Sequence, residues 1–237
     1  MQIGSRQTLW TESAPTGKTV LVFRVTDDQP KVKIRGGNLA PGSSTVTVDW
    51  GDGTREVLRQ FIYVLHEYRR RGLYTVVISD DLASFSYTGT EPMFTDGTKQ
   101  MLVEMKSAGS KLTKLEMYAF NNCRSMRGRM VFPGVTTVEV YAFGSVCGVR
   151  EMRFPALKEL EQRAFYTGPT ADTVYADRVT RISSDFFVYY GSRLVDLYIR
   201  GKTRAQIKAM PGFPFKANGN VRFHGSDGIV LGNGQFK

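Results

Sequence analysis

The 237-residue sequence predicts a mainly β protein with a minor α/β part, in which a β-sandwich precedes a short-repeat solenoid and a small C-terminal cap. Three observations lead to this prediction. Apolar residues alternate with a period of two in the first third of the chain, as in half-buried strands. A longer pattern then recurs every 22 or 23 residues, which is typical of a solenoid. After residue 203 the repeat ends and a helix signal and a hairpin signal follow.

Changes in pattern and composition define the predicted segments. We predict an N-terminal arm (1–18), a sandwich (19–87), a linker (88–100), repeats (101–203) and a helix-and-hairpin cap (204–237). The linker is rich in Gly, Thr, Ser and Pro. Leu102–Met105 is expected to form the first solenoid strand. Thr203 is a suitable N-cap for a short helix that stops at Pro211-Gly212, and residues 225–227 separate the two predicted strands of a hairpin.

Short strands separated by turn signals predict an antiparallel sandwich in the first part. The alternating stretch Thr45–Trp50 stops at Gly51-Asp52-Gly53-Thr54, where glycines permit a tight turn and the Asp52 carboxylate can cap it. The set V-x-W-G-D-G-T, H-x-Y and G-x-Y-x-V-x-I resembles the PKD domain, an immunoglobulin-like sandwich. It matches at Val48, Trp50, Gly51, Asp52, Gly53, Thr54, His66, Tyr68, Gly72, Tyr74, Val76 and Ile78. The resemblance implies a spacer or adhesion module of an extracellular protein.

The repeats are marked by a pair of residues whose second member is phenylalanine. The pairs are Ala119-Phe120, Ala142-Phe143, Ala164-Phe165 and Phe186-Phe187. We expect the four phenylalanines Phe120, Phe143, Phe165 and Phe187 to stack in one buried column. The full motif, L-x-x-L-x-x-x-A-F-x-x-C-x-x-L-x-x-x-x-F-P, resembles the BspA-like leucine-rich repeats of bacterial surface proteins and some phage proteins. The last two copies depart from it by replacing Phe-Pro with Ala176-Asp177 and Ile199-Arg200.

The two cysteines, Cys123 and Cys147, fall at or next to the cysteine slot of the motif. We predict buried free thiols at both, with a disulfide between neighbouring repeats as the alternative.

The formal net charge of +10 lies entirely in the repeat half, because residues 1–98 carry 11 basic and 11 acidic residues and residues 99–237 carry 21 and 11. This asymmetry favours an anionic partner. The basic residues are scattered singly and no nucleic-acid motif accompanies them, so no specific nucleic acid is expected. No apolar run approaches ~18 residues, so no membrane insertion is expected. An h-region is absent from residues 1–19, so we predict no signal peptide in this sequence.

The outward face of the repeat sheet is the predicted binding surface. If Met152 and Phe154 point inward, Arg153 points outward. The predicted binding residues are Arg129, Val131, Arg153, Tyr175 and Tyr198, accompanied by Glu151, Thr173 and Asp196. Arginine and tyrosine are enriched at interaction hot spots. The alternative is that outward tyrosines reflect β-propensity alone.

The sequence contains no recognisable motif of catalytic or metal-binding residues, so we predict no enzyme, no catalytic residues and no cofactor. The chain has two histidines, His66 and His224. A hydrolase that uses a pocket at either one is the alternative from another functional class. A calcium site is a further alternative, because six aspartates fall at predicted strand ends: Asp27, Asp28, Asp49, Asp52, Asp80 and Asp81.

The sequence therefore predicts a non-enzymatic surface interaction protein, located on a virion or on a cell surface. It would be a virion decoration or fibre component, or an adhesin, and would bind a host-surface or assembly partner through the repeat sheet face. The expected partner is a protein or anionic glycan on a cell surface, or a neighbouring virion protein. A bacterial adhesin truncated of its signal peptide is the alternative, and oligomers are compatible with the sequence.

Overall fold

The computed structural model describes residues 17–85, 94, 96–166, 171–188, 194–215 and 221–231. Within these ranges the chain is mainly β, with two short helices and a β-solenoid of about four turns. Most of the predicted N-terminal arm, residues 1–16, lies outside the described residues, as do residues 88–93 and 95 of the predicted linker.

The described residues of the N-terminal part form seven strands before the first helix. They are β1 (Thr19–Val25), β2 (Lys31–Arg35), β3 (Val46–Asp49), β4 (Arg55–Leu58), β5 (Tyr63–Glu67), β6 (Gly72–Ile78) and β7 (Ser84–Phe85). β4, β3, β6 and β1 lie side by side as an antiparallel sheet, and β2 pairs antiparallel with β5. Inward apolar residues of several strands, such as Leu21, Val32 and Val48, are fully buried and share one core.

The Gly51–Thr54 turn joins β3 to β4 and is held by its own side chains. The Asp52 Oδ1 atom accepts hydrogen bonds from the Thr54 amide (3.0 Å) and hydroxyl (2.6 Å). Gly51 and Gly53 have φ angles of 77° and 93°, where side chains are disfavoured. A Cβ atom on Gly51 would lie 2.5 Å from the carbonyl oxygen of Thr75, so this turn packs tightly against β6.

The two predicted parts share strands instead of meeting at a loose linker. Helix α1 (Asp96–Met101) leads into β8 (Leu102–Ser107), and β8 pairs antiparallel with β1, which places it at the edge of the N-terminal sheet. β8 therefore does not belong to a solenoid sheet as we expected, although its Val103 carbonyl accepts a hydrogen bond from the Arg127 amide (2.9 Å). The buried ring of Phe94 contacts both Phe85 and Phe120, which joins the two cores.

The described residues of the solenoid form two long parallel ladders of strands and one short parallel ladder of two strands. Its strands are β9 (Lys114–Leu115), β10 (Gly128–Val131), β11 (Thr137–Val138), β12 (Val149–Arg153), β13 (Glu159–Leu160), β14 (Phe165–Tyr166), β15 (Ala171–Tyr175), β16 (Arg181–Ile182), β17 (Phe187–Val188) and β18 (Val195–Tyr198). The first ladder has the order β16-β13-β11-β9-β7, so β7 from the N-terminal part starts it. The second begins β10-β12-β15-β18 and forms the broad sheet of the solenoid.

The repeat register predicted from the sequence is confirmed in the core. Phe120, Phe143, Phe165 and Phe187 are all buried. Their rings stack with centroids 5.4 Å apart between the first two and 5.5 Å apart between the second and third. β14 and β17 place Phe187 opposite Phe165 in a parallel pair. Each turn thus buries its apolar residues against the same residues of its neighbours.

The predicted cap is also present, and it extends the broad sheet. Helix α2 (Arg204–Lys208) begins after Thr203, whose hydroxyl accepts from the Gln206 amide while the Gln206 side chain accepts from the Thr203 amide. The hairpin strands are β19 (Val221–Gly225) and β20 (Gly228–Leu231). β19 pairs in parallel with β18, so the hairpin adds two further strands to the sheet that β10 begins.

Candidate functional site

The broad sheet of the solenoid presents its outward side chains in two straight rows. Successive residues on a strand point to opposite faces, and Met130, Met152 and Val174 point into the core. The strands pair in parallel and in register, so the outward residues just before and just after these core residues line up from strand to strand. The first row is Arg129, Glu151, Thr173, Asp196 and Arg222, and the second row is Val131, Arg153, Tyr175, Tyr198 and His224.

The second row forms a continuous stack of flat groups. The Arg153 guanidinium carbon lies 4.5 Å from the ring centroid of Tyr175. The centroids of Tyr175 and Tyr198 are 4.8 Å apart, and those of Tyr198 and His224 are 4.2 Å apart with the planes 14° from parallel. Neighbouring strands lie about 4.8 Å apart, so one planar side chain on each strand brings the groups into contact. We call Arg153, Tyr175, Tyr198 and His224 the sheet-face ladder.

Ion pairs hold the end of this ladder in place. Asp196 accepts two hydrogen bonds from the Arg222 guanidinium, both 2.6 Å long, and its Oδ1 atom lies 2.7 Å from His224 Nε2. Burial raises the pKa of Asp196, but the hydrogen bonds from Arg222 and His224 outweigh burial and hold the pKa below its usual value. The carboxylate is therefore charged at neutral pH, and it orients both cationic and aromatic neighbours.

Three arginines of this face are each paired with a carboxylate: Arg153, Arg200 and Arg222. Arg153 Nε donates to Glu151 Oε1 at 2.7 Å. Arg200 pairs with Asp177 at 2.9 Å and also lies over the Tyr175 ring, with 5.1 Å between its guanidinium carbon and the centroid. Because these charges are balanced locally, the face offers stacked planar surfaces flanked by ion pairs, and it is not a field of uncompensated positive charge.

All five predicted binding residues lie in the two rows, and three of them, Arg153, Tyr175 and Tyr198, form the stack. The other two, Arg129 and Val131, lie on β10 at the far end of the two rows, where Arg129 is exposed and Val131 is partly buried. His224 and Arg222 were missed by the sequence analysis of this face. The alternating segment Val221–His224 carried the signal, because its outward positions are Arg222 and His224, but it lies outside the repeat.

The two histidines sit in different environments. His66 Nε2 lies 2.8 Å from Asp52 Oδ2, and its ring is stacked on Trp50 and perpendicular to Tyr68. This ring is nearly buried and connects the Gly51–Thr54 turn to β5. His224 is paired with Asp196, whose remaining contacts go to Arg222. Each site thus contains a histidine beside a carboxylate. In a nucleophilic triad these two groups are the general base and the residue that orients it.

Five of the six strand-end aspartates considered as calcium ligands bind other protein groups. Among the described residues, no group of three or more His, Cys, Asp or Glu side chains is arranged to hold a metal ion. Asp49 pairs with Arg55, Asp27 with Arg71, and Asp81 with Lys111. Asp80 binds the hydroxyl of Ser110 and the amide of Lys111. These carboxylates act as partners for turns and neighbouring strands.

The two thiols are free and differ in exposure. Cys123 is buried, and burial raises the pKa of its thiol to about 12. The prediction that Cys147 is also buried is wrong, because Cys147 is exposed. The core slot three residues after Phe143 is filled by Val146, which is fully buried, so Cys147 lies one position beyond the slot.

Neither helix in the part of the chain that the structure describes is long and apolar enough to span a lipid bilayer. No protein-family model, curated protein or solved structure matched this chain. The resemblances to PKD domains and BspA-like repeats therefore stay predictions.

Proposed function

We propose that this protein is a non-enzymatic surface interaction protein that binds a partner through the sheet-face ladder. The observation that carries the proposal is the unbroken stack from Arg153 through Tyr175 and Tyr198 to His224. Tyrosine supplies a large contact area at low entropic cost, and tyrosine and arginine are enriched among the residues that dominate binding energy in interfaces. Extended ladders of this kind suit the broad contacts that solenoid proteins make.

The biological setting we propose is a virion surface or a cell surface. The PKD-like pattern of the N-terminal part and the BspA-like spacing of the repeats support it, because both resemble modules of surface proteins. A virion decoration or fibre component and a bacterial adhesin are the two forms of this proposal. The neighbouring genes discriminate between them, because capsid and tail genes favour the first and export or anchoring genes favour the second.

The chemistry of the ladder favours a partner with flat and weakly acidic surfaces. Tyr175 and Tyr198 offer ring faces to apolar side chains or sugar rings, and Arg153 can bind a carboxylate by exchanging its contact with Glu151. The net charge of +10 lies in the same half of the chain and attracts anionic partners at long range. An acidic protein surface and an anionic glycan are therefore the candidate partner classes.

Retention on immobilised anionic glycans and on poly-glutamate, at low and at physiological salt, tests the proposal. We expect the parent protein to be retained at low salt and to be released as salt rises, because exposed charges are screened over about 8–10 Å. Arg153→Glu and Tyr175→Ala should both weaken retention. Tyr63→Ala on β5 is the matched control and should behave as the parent does. Parent-like retention of both ladder variants would reject the ladder as the binding surface.

A hydrolase remains the second candidate because Asp196 and His224 are in hydrogen-bond contact on an accessible face. Asp196 is also held by two bonds from Arg222, so it serves an ion pair as well as the histidine. Turnover of generic ester and glycoside substrates, compared between the parent and His224→Ala, separates the candidates. Activity that disappears in His224→Ala would favour the hydrolase over the interaction protein.

A further inference from the structure

A second surface lies in the turns that lead from the first ladder of strands to the broad sheet. Three successive solenoid turns each place one tyrosine there, and together they line an open groove with a volume of about 780 Å³. We call this the tyrosine groove. It is lined by Tyr118, Tyr141, Tyr166, Asn121, Ser145 and Arg124. None of these residues belongs to the sheet-face ladder.

The tyrosine rings give the groove both a floor and a wall. The rings of Tyr118 and Tyr141 are parallel to within 1°, with centroids 5.2 Å apart. Tyr166 stands at 89° to Tyr141, with centroids 5.1 Å apart. The hydroxyl of Tyr141 accepts a hydrogen bond from Arg163 at 2.8 Å, which fixes the middle ring. All three rings are partly exposed, so a ligand can contact them without rearrangement.

The backbone at these tyrosines is unusual. Tyr118 and Tyr141 have φ angles of 62° and 56°, in the left-handed region that bulky residues rarely occupy. The equivalent residue of the next turn, Arg163, has a φ of 52°, so the solenoid corner itself demands this conformation. Glycine would satisfy the corner at lower conformational cost. The aromatic rings at Tyr118 and Tyr141 are therefore not explained by the turn, and strain of this kind clusters at functional sites.

The charge of the groove differs from that of the sheet-face ladder. Arg124 is exposed, and its guanidinium donates a single long hydrogen bond, 3.5 Å, to the Asn122 side chain. Within the described residues no acidic side chain lines the groove. The neighbouring Arg127 guanidinium donates to the carbonyls of Arg124, Met126 and Cys147, and it has no carboxylate partner among the described residues, so it adds positive charge. The groove therefore combines aromatic faces with uncompensated positive charge.

We infer that the tyrosine groove binds an acidic sugar unit of a glycan. The C–H face of a pyranose ring is apolar and suits a tyrosine face, while its hydroxyl groups suit the Asn121 amide and the Ser145 hydroxyl. The sugar carboxylate suits the Arg124 guanidinium, which can bind it with two parallel hydrogen bonds. A peptide ligand would not need a groove that combines flat aromatic rings, an amide and one cation. The inference does not depend on the ladder.

Saturation-transfer NMR on the full chain, with glucuronic acid, N-acetylneuraminic acid and glucose as probes, tests the inference. We expect transfer to the ring protons of the two acidic sugars and weak transfer to glucose. Arg124→Gln should raise the dissociation constant for the acidic sugars about tenfold or more, because it removes a charge-assisted contact. Tyr141→Gly should abolish transfer while the fold is kept, because glycine adopts the left-handed backbone readily.

Two matched variants control for general effects. Arg178→Gln removes another exposed arginine, and Tyr63→Ala removes a tyrosine of β5 that lies outside both the groove and the sheet-face ladder. Both should bind the sugars as the parent does. The inference is overturned by no transfer to either acidic sugar, by equal transfer to glucose, or by parent-like binding of folded Arg124→Gln and Tyr141→Gly. Loss of binding in Tyr175→Ala alone would place sugar binding on the ladder, which would also overturn the groove but not the proposed function.

Discussion

Tyr198 lies flat against His224, with ring centroids 4.2 Å apart and ring planes 14° from parallel. Tyr198 ends the last repeat strand, whereas His224 comes from the cap hairpin 26 residues later. The pair exists because β19 joins β18 in parallel and in register. A segment with no repeat sequence thus continues the row that the repeats begin, and Asp196 fixes its histidine.

The phenylalanine column should carry much of the stability of the solenoid. Phe143 is fully buried and stacks on both Phe120 and Phe165. Replacing Phe143 with alanine leaves a cavity between two turns, and we expect a loss of roughly 3–5 kcal/mol in the free energy of unfolding. Urea denaturation followed by circular dichroism measures it. Leu73→Ala, at an exposed position, should change stability by less than about 0.5 kcal/mol. A Phe143→Ala loss as small as that control would contradict the stacked column.

The two glycines of the β3–β4 turn should differ in their tolerance of a side chain. Both have positive φ angles, so alanine at either position is strained by about 1–2 kcal/mol. At Gly53 a Cβ atom meets nothing within 4 Å, whereas at Gly51 it would lie 2.5 Å from the Thr75 carbonyl oxygen. We expect Gly51→Ala to lower the free energy of unfolding by a further ~1–3 kcal/mol through this clash. Equal losses in the two variants would show that the turn does not pack on β6.

Asp52 should make the protein sensitive to acid. Burial raises its pKa, but hydrogen bonds from Thr54 and His66 outweigh burial and leave the pKa below its usual value. A carboxyl group with a lowered folded-state pKa contributes stability above its unfolded pKa of about 4, and this contribution is lost as pH falls through the folded pKa. Asp52→Asn should therefore be less stable than the parent at pH 7, and the difference should narrow below about pH 4.

Urea midpoints measured from pH 7 to pH 2 for the parent and Asp52→Asn check this dependence. Asp28→Asn, in the exposed turn after β1, is the control and should follow the parent at every pH. A constant difference between the parent and Asp52→Asn over the whole range would exclude Asp52 as a source of the acid sensitivity.

The thiols should react in two separate steps. Thiolate is the reactive form, and Cys123 is buried with a pKa raised by burial to about 12, whereas Cys147 is exposed. A chromogenic disulfide reagent should therefore modify one thiol in the folded protein and two after denaturation. In Cys147→Ser the folded protein should not react. Two reactive thiols in the folded parent would contradict burial of Cys123, and none after denaturation would indicate a disulfide.

Much of the repeat half could be predicted because it follows from local periodicity. Spacing of 22 or 23 residues identified the phenylalanine column, and alternation along each strand identified Arg153, Tyr175 and Tyr198 as outward residues. The helix after Thr203 and the hairpin at residues 221–231 also follow from local capping and turn signals. Side-chain direction and turn chemistry depend on a few neighbouring residues, so the amino-acid pattern is sufficient to predict them.

The connection between the two parts could not be predicted in the same way. β7 starts a solenoid ladder and β8 completes the N-terminal sheet, so the chain exchanges strands across the predicted boundary. Strand partners far apart in sequence are chosen by packing of the whole chain. A six-residue segment such as β8, with three apolar and three polar residues, fits either sheet by its pattern alone. The buried contact of Phe94 with Phe85 and Phe120 then fixes the choice.

The sequence by itself determined a mainly β chain, the repeat that becomes a solenoid, and the outward positions of Arg153, Tyr175 and Tyr198. The tertiary structure alone decided that His224 completes their stack, that carboxylates neutralise three arginines of this face, and that Tyr118 and Tyr141 stack in parallel in a separate groove. The physical reason is the distance along the chain over which each kind of interaction acts. Periodicity and turn chemistry act over a few residues, whereas stacking, ion pairing and burial depend on which distant segments the folded core brings within a few ångströms.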